Sequence, residues 1–140
     1  MDSVIFACVH NAGRSQMAAA FFNQLVDRTR AEAVSAGTQP GERVHPVVVD
    51  VMNEVGINLT GKKPQRLTDG LASDAQLLVT MGCGDECPFV PGLKVEDWPL
   101  QDPKDQPMEV VRQIRDNIKS RVSALVTSRG WSGRSEGSSR

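Results

Sequence analysis

Val4-Ile5-Phe6-Ala7-Cys8-Val9-His10-Asn11-Ala12-Gly13-Arg14-Ser15 changes character twice, and those changes decide the fold. Val4 to Ala7 is a short continuous apolar run, as expected of a strand buried on both faces. Cys8 to Ser15 is rich in small and turn-forming residues. From Ser15 onward Met17, Ala18, Phe21, Phe22 and Leu25 share one side of a helix. The segment therefore reads as strand, tight loop, helix.

Working outward, the same alternation recurs. Ala31 to Ser35 suits a second strand ended by Ala36-Gly37, and Val44, Val47, Val48, Val51 and Val55 follow at helical intervals. Valine is a middling helix former, so packing must hold that helix, and Gly56 is placed to stop it. Ala75 to Thr80 reads as a third strand and Val95 to Trp98 as a short fourth. Met108, Val111, Ile114, Ile118, Val122 and Leu125 mark a long terminal helix. Strands alternating with helices predict an α/β fold, a four-stranded parallel twisted sheet with helices on both faces. Ligands of such sheets gather beyond the carboxyl ends of the strands. Cys8, Ser35, Cys83 and Asp102 follow the four strands in turn. Residues 1–126 are expected to form one domain, and the Ser-, Gly- and Arg-rich stretch 127–140 a flexible tail.

The 140 residues carry a formal net charge of −1 with acids and bases mixed. No broad positive field is available for nucleic acid or an acidic membrane, so an anion must be captured by one local site. The N-terminal apolar run is too short for a signal peptide, and no stretch approaches the ~18 apolar residues of a membrane span. The expected location is the cytoplasm, where thiols are kept reduced. Three cysteines fit a secreted disulfide scaffold poorly; packing, metal binding and redox chemistry remain as their uses.

Cys8 and Arg14 are separated by five residues. Successive N–H groups in a tight loop form an anion-binding nest, and the following helix turns its positive end toward the same spot. Arg14 can fork two hydrogen bonds to a tetrahedral oxyanion. Gly13 permits backbone that bulkier residues resist. That positive setting favours the Cys8 thiolate, and the Ser15 hydroxyl can add a hydrogen bond to it. The oxyanion-binding loop is thus Val9, His10, Asn11, Ala12, Gly13, Arg14 and Ser15.

Cys8-Val9-His10-Asn11-Ala12-Gly13-Arg14-Ser15 resembles the phosphate-binding loop of low-molecular-weight tyrosine phosphatases and of the arsenate reductases built on their fold. The resemblance extends over residues 3 to 126. It implies that Asn11 fixes the loop, with Ser35-Ala36-Gly37 lying beside it. His10 is expected to pack or face solvent. Gln101-Asp102-Pro103 resembles the late Asp-Pro of the family, whose aspartate protonates the leaving oxygen. Asp97 and Asp105 are its nearby rivals.

A phosphatase of this kind needs one cysteine, and this chain has two more in Met81-Gly82-Cys83-Gly84-Asp85-Glu86-Cys87-Pro88. That segment resembles the redox loop of arsenate reductases, although the relatives' cysteines are more widely spaced. The resemblance implies a relay through Cys8, Cys83 and Cys87, with no bound cofactor and an external dithiol, thioredoxin, as reductant. Zinc binding and inert packing are the other uses of the pair. A structural zinc needs four ligands, with only His10 and His45 to add, and a Gly-, Asp- and Glu-rich loop is a poor core. Relatives that bind potassium do so through acidic residues, and their first-helix glutamate is Ala19 here, so no metal is expected. Arsenate is the expected substrate, phosphate or sulfate its mimic, and the chain a monomer. Two alternatives stand beside this reading: a tyrosine phosphatase, and a reductase coupled to mycothiol or glutathione. Against the phosphatase, Pro103 is followed by Lys104-Asp105-Gln106 and the chain contains no tyrosine to stack on a substrate ring.

Overall fold

The computed structural model describes residues 2–81 and 91–132. Cys83 and Cys87, the two thiols expected to complete a relay, lie outside the described residues. Four strands form one sheet: β1 (Asp2–Cys8), β2 (Ala31–Gly37), β3 (Leu77–Thr80) and β4 (Lys94–Asp97). Their order is β2-β1-β3-β4, and every pair is parallel. β1 therefore has strands on both sides. Val4, Ile5, Phe6 and Ala7 are each 0% exposed, so an unbroken apolar run is what this position demands.

The two faces of the sheet are covered unequally. α1 (Arg14–Leu25), α2 (Pro46–Asn53) and α4 (Met108–Ser128) pack on the face presenting Val4, Phe6 and Cys8. The five-residue α3 (Asp69–Ser73) and its flanks cover Ile5, Ala7, Ala36 and Leu78 on the other. α3 has no counterpart in the sequence reading. It is too short for periodicity to reveal, and its sign is the Thr68 hydroxyl accepting from Leu71 N–H at 3.1 Å.

Packing does hold the valine-rich α2. Val48, Val51 and Met52 are fully buried, Pro46 opens the helix, and Gly56 follows it at φ +82°. Glu54 at its end joins Arg112 and Arg115 of α4 at 2.7 and 2.8 Å, and Arg115 also donates to the carbonyl of Val51. Hydrogen bonds from Arg112, then from Arg115, hold the Glu54 carboxyl down at about 2.

Ordered chain continues past residue 126, where the sequence reading began a flexible tail. α4 runs to Ser128, and Trp131 is 6% exposed against Phe22, with ring centroids 5.6 Å apart. Its Nε1 donates to Asp2 Oδ2 at 3.0 Å. The reason is area: an indole can bury more apolar surface than the polar residues around it suggest. Phe6 links this group onward to Phe22 and Trp98, at 5.9 and 5.7 Å.

Candidate active site

The loop between β1 and α1 owes its shape to where its carbonyls point. Those of Cys8, Val9, His10, Ala12 and Gly13 accept from the N–H groups of Thr38, Gln39, Gly41, His45 and Met17. That of Asn11 accepts from Gln16 Nε2 at 3.1 Å. Six consecutive carbonyls are thus engaged outside the loop. In a trans peptide the next residue's N–H points opposite its carbonyl, so the amides of residues 9–14 face the concave side. They form a ring of donors suited to a tetrahedral oxyanion.

Cys8 Sγ stands at the foot of this ring, 3% exposed and 2.9 Å from Ser15 Oγ. Asn11 adopts φ +52°, fully buried, and its side chain explains why it can. Its Oδ1 accepts from the backbone N–H of Gln65 at 2.9 Å. Because that partner can only donate, the amide is locked with Nδ2 toward Ser15 Oγ, 2.7 Å away. With one lone pair of the hydroxyl taken by Asn11, the Ser15 proton is free to point at sulfur.

Two glycines are required by close approach. A Cβ on Gly37 would lie 2.6 Å from the Val9 carbonyl oxygen, and one on Gly13 2.7 Å from Pro103 Cγ. Gly37 is the β2 residue that touches the loop. Ser35, expected in that role, contributes through its backbone, its carbonyl accepting from Gln65 Nε2 at 2.9 Å.

Arg14 is 6% exposed. Its Nη1 donates to the carbonyls of Met81 and Leu100 at 2.6 and 3.0 Å, which uses both protons of that nitrogen. Nη2 lies 3.7 Å from Asp102 Oδ2, and Nε and Nη2 remain for an oxyanion. Asp102 is half-exposed, and its Oδ1 accepts from Lys104 N–H at 3.0 Å. The proline and that turn fix the backbone around a carboxylate that lines the pocket.

Cys8, His10, Ala12, Gly13, Arg14, His45 and Asp102 line one small cavity. The structure thus brings the candidate nucleophile Cys8 together with Arg14 and Asp102 at the carboxyl ends of β1 and β4. His10 is exposed at the rim, its Nδ1 3.0 Å from the Gln39 carbonyl. His45 is a wall residue that the sequence reading used only as a spare zinc ligand. Burial pushes the His45 imidazole down from its ordinary value, with Asp102 pulling the other way. The signal for it was its place before Pro46, at a helix start beyond the second strand. Gln16 and Gln65 also escaped notice, since nothing marks a glutamine as a loop brace until its partners are in place.

The family model for low molecular weight phosphotyrosine protein phosphatases matches residues 3–130. The chain belongs to this family. Among curated relatives of this family chain, a Halobacterium salinarum protein provisionally named arsenate reductase is 40% identical over 124 residues, 86% of this chain and 87% of its own length. A glutaredoxin arsenate reductase from Synechocystis sp. is 36% identical over 129 residues, covering 90% and 97%. A thioredoxin-dependent arsenate reductase of Corynebacterium glutamicum superimposes with a TM-score of 0.77 at 37% identity. That match takes in 91% of this chain and 61% of the longer Corynebacterium chain.

Proposed function

We propose that the protein reduces arsenate to arsenite with Cys8 as nucleophile. The observation that carries this is the run of six outward carbonyls, which leaves a ring of amides around one buried sulfur below Arg14 and Asp102. Arsenate and phosphate are nearly the same shape, so this ring serves either anion. Two further features favour the reductase: a chain without tyrosine, and two extra cysteines that phosphoester hydrolysis does not use. The relatives named above bear the same activity in their names.

The Cys8 thiolate bonds to As(V), while Asp102 protonates a departing oxygen, which leaves as water. The Cys83 thiolate then attacks Cys8 Sγ. The S–As bond breaks, its electron pair stays on arsenic, and As(III) leaves as arsenite with a Cys8–Cys83 disulfide behind. Cys87 attacks Cys83 and releases the Cys8 thiolate. The resulting Cys83–Cys87 disulfide takes two electrons from an external dithiol, for which we choose thioredoxin. The reaction belongs in the cytoplasm, and the catalytic unit is residues 1–126 with the Trp131 segment fastened to it.

The test is NADPH consumption coupled through thioredoxin reductase and thioredoxin, with arsenate as oxidant. Cys8→Ser, Cys83→Ser and Cys87→Ser should each abolish turnover. Cys8→Ser should also abolish any hydrolysis of p-nitrophenyl phosphate, which the other two should spare. A Cys87→Ser enzyme that cycles normally removes that residue from the relay. Turnover surviving Cys8→Ser defeats the proposal outright.

A further inference from the structure

Gln16 lies in the first turn of α1, buried to 5% exposure, at a place where a surface-facing helix would carry an ordinary polar residue. Its Nε2 meets three oxygens at once: Asn11 O at 3.1 Å, Asn11 Oδ1 at 3.2 Å and Lys63 O at 3.4 Å. An amide nitrogen has two protons, so it acts here as a small positive hub that three carbonyl groups share. It is also the donor that satisfies the Asn11 carbonyl, the one member of the outward set not served by a backbone N–H.

The consequences run in one direction. Gln16 and the Gln65 N–H together hold Asn11 Oδ1, and only with Oδ1 held is Asn11 Nδ2 committed to Ser15 Oγ. Only with that bond made is the Ser15 proton directed at Cys8 Sγ, 2.9 Å away. Gln16 touches neither the sulfur nor the oxyanion ring's concave side. Its contact with Lys63 O adds a tie to the segment that supplies Gln65, which β2 also holds through Gly37 N–H to the Gln65 carbonyl and through Gln65 Nε2 to the Ser35 carbonyl, both at 2.9 Å.

We infer that Gln16 is a positioning residue for the reaction, which sets the reactivity of the Cys8 thiolate through Asn11 and Ser15. The inference rests on Cys8 being the nucleophile. Gln16→Met preserves length and apolar packing and removes the donor. Gln16→Glu keeps the shape and sets a carboxylate oxygen against the three carbonyl oxygens.

The experiment follows the pH dependence of iodoacetamide reaction at Cys8 by mass spectrometry, in a Cys83→Ser/Cys87→Ser background where Cys8 is the remaining thiol. Arsenate turnover is measured in the full chain. Gln16→Met should move the labelling midpoint upward by about one pH unit, and Gln16→Glu by more, since loss of a charge-assisted hydrogen bond to the thiolate is of that order. kcat should fall about tenfold or more with KM for arsenate nearly unchanged, because the oxyanion ring and Arg14 stay in place. Gln16→Met with wild-type labelling, or with a fall in thermal stability and no shift in midpoint, overturns the inference and makes Gln16 a packing residue. A variant that does not fold is replaced by Gln16→Asn, which keeps the donor on a shorter arm; an unshifted midpoint there and in Gln16→Glu overturns it equally. Failure of the nucleophile assignment is read separately, from turnover in Cys8→Ser.

Discussion

Alanine at position 13 should displace the acid and leave the thiolate intact. A Cβ there would sit 2.7 Å from Cγ of Pro103 and 3.5 Å from its Cδ. Ordinary carbon–carbon contact is about 3.5–4.0 Å, so something must move by about 1 Å. The loop side is the stiffer: six of its carbonyls are bonded outward, and Asn11 is locked by its own amide. Pro103 is itself buried, but its neighbours Asp102 and Lys104 are exposed, so the Asp-Pro turn is the side that should retreat. Asp102 Oδ2 now stands 3.7 Å from Arg14, and a further 1 Å takes it out of reach of the leaving oxygen. Misplacement on that scale costs on the order of 10²-fold in rate, equivalent to about 2.7 kcal/mol of transition-state stabilisation.

The assay has two arms and a rescue. kcat/KM for arsenate should fall about 100-fold in Gly13→Ala, while iodoacetamide labelling of Cys8 should keep its wild-type rate and pH midpoint. Pro103→Ala removes both Cγ and Cδ, after which the nearest neighbour of the new Cβ is His45 Cδ2 at 3.6 Å, an ordinary contact. Gly13→Ala should then cost far less in the Pro103→Ala background, with a coupling of about 1–2 kcal/mol, as for residues in direct contact. Wild-type kcat/KM in Gly13→Ala refutes the reasoning. So does a loss of Cys8 labelling that parallels the loss of turnover, because the loop and not the acid would then have moved.

Three further outcomes are expected. Asn11→Ala takes the acceptor from the part-buried Gln65 N–H, at about 1 kcal/mol, and leaves a Cβ residue in left-handed backbone at about 1–2 kcal/mol more; urea unfolding should show a loss of roughly 2–3 kcal/mol, and an unchanged midpoint contradicts this lock. Glu54 holds its carboxyl at about 2 against an ordinary 4.5, so the unfolded chain takes up a proton that the native chain refuses as pH falls through 4.5 toward 2. Its contribution is complete above about pH 5 and is lost over that range; Glu54→Gln should flatten this part of the Tm–pH curve, and an unaltered acid limb means the cluster is not responsible. Trp131→Ala should cost about 3 kcal/mol if the indole fills its site against Phe22, whereas a shift within experimental error would return this segment to the status of a tail.

The β1–loop–α1 unit was legible because each part is written in adjacent residues. Burial on both faces shows as four apolar residues in a row, and the spacing of Cys8 and Arg14 is a local matter of one turn of backbone. The four strands were legible for the same reason, with ends misjudged by a residue or two, as at Ala36-Gly37. There the parallel pairing with Ala7 and Cys8 extends the strand through residues of no evident strand character. α3 and the end of α4 were not legible. One, at five residues, spans too little more than a single helical turn for a period to show, and the other depends on a tryptophan whose partner, Phe22, lies near the opposite end of the chain.

By itself, the sequence determined the α/β alternation, the spacing of Cys8 from Arg14, and the aspartate before proline, since each is a property of neighbours along the chain. Only the tertiary structure decided which groups serve that site from elsewhere. Gly37 rather than Ser35 meets the loop, the carbonyls of Met81 and Leu100 hold Arg14, and His45 walls the pocket. Gln16 and Gln65 converge on Asn11. Hydrogen bonds between residues 5 to 86 positions apart leave no mark in composition or periodicity. They exist once hydrophobic burial has brought the strand ends together, and a buried polar group then takes whichever partner lies within about 3 Å.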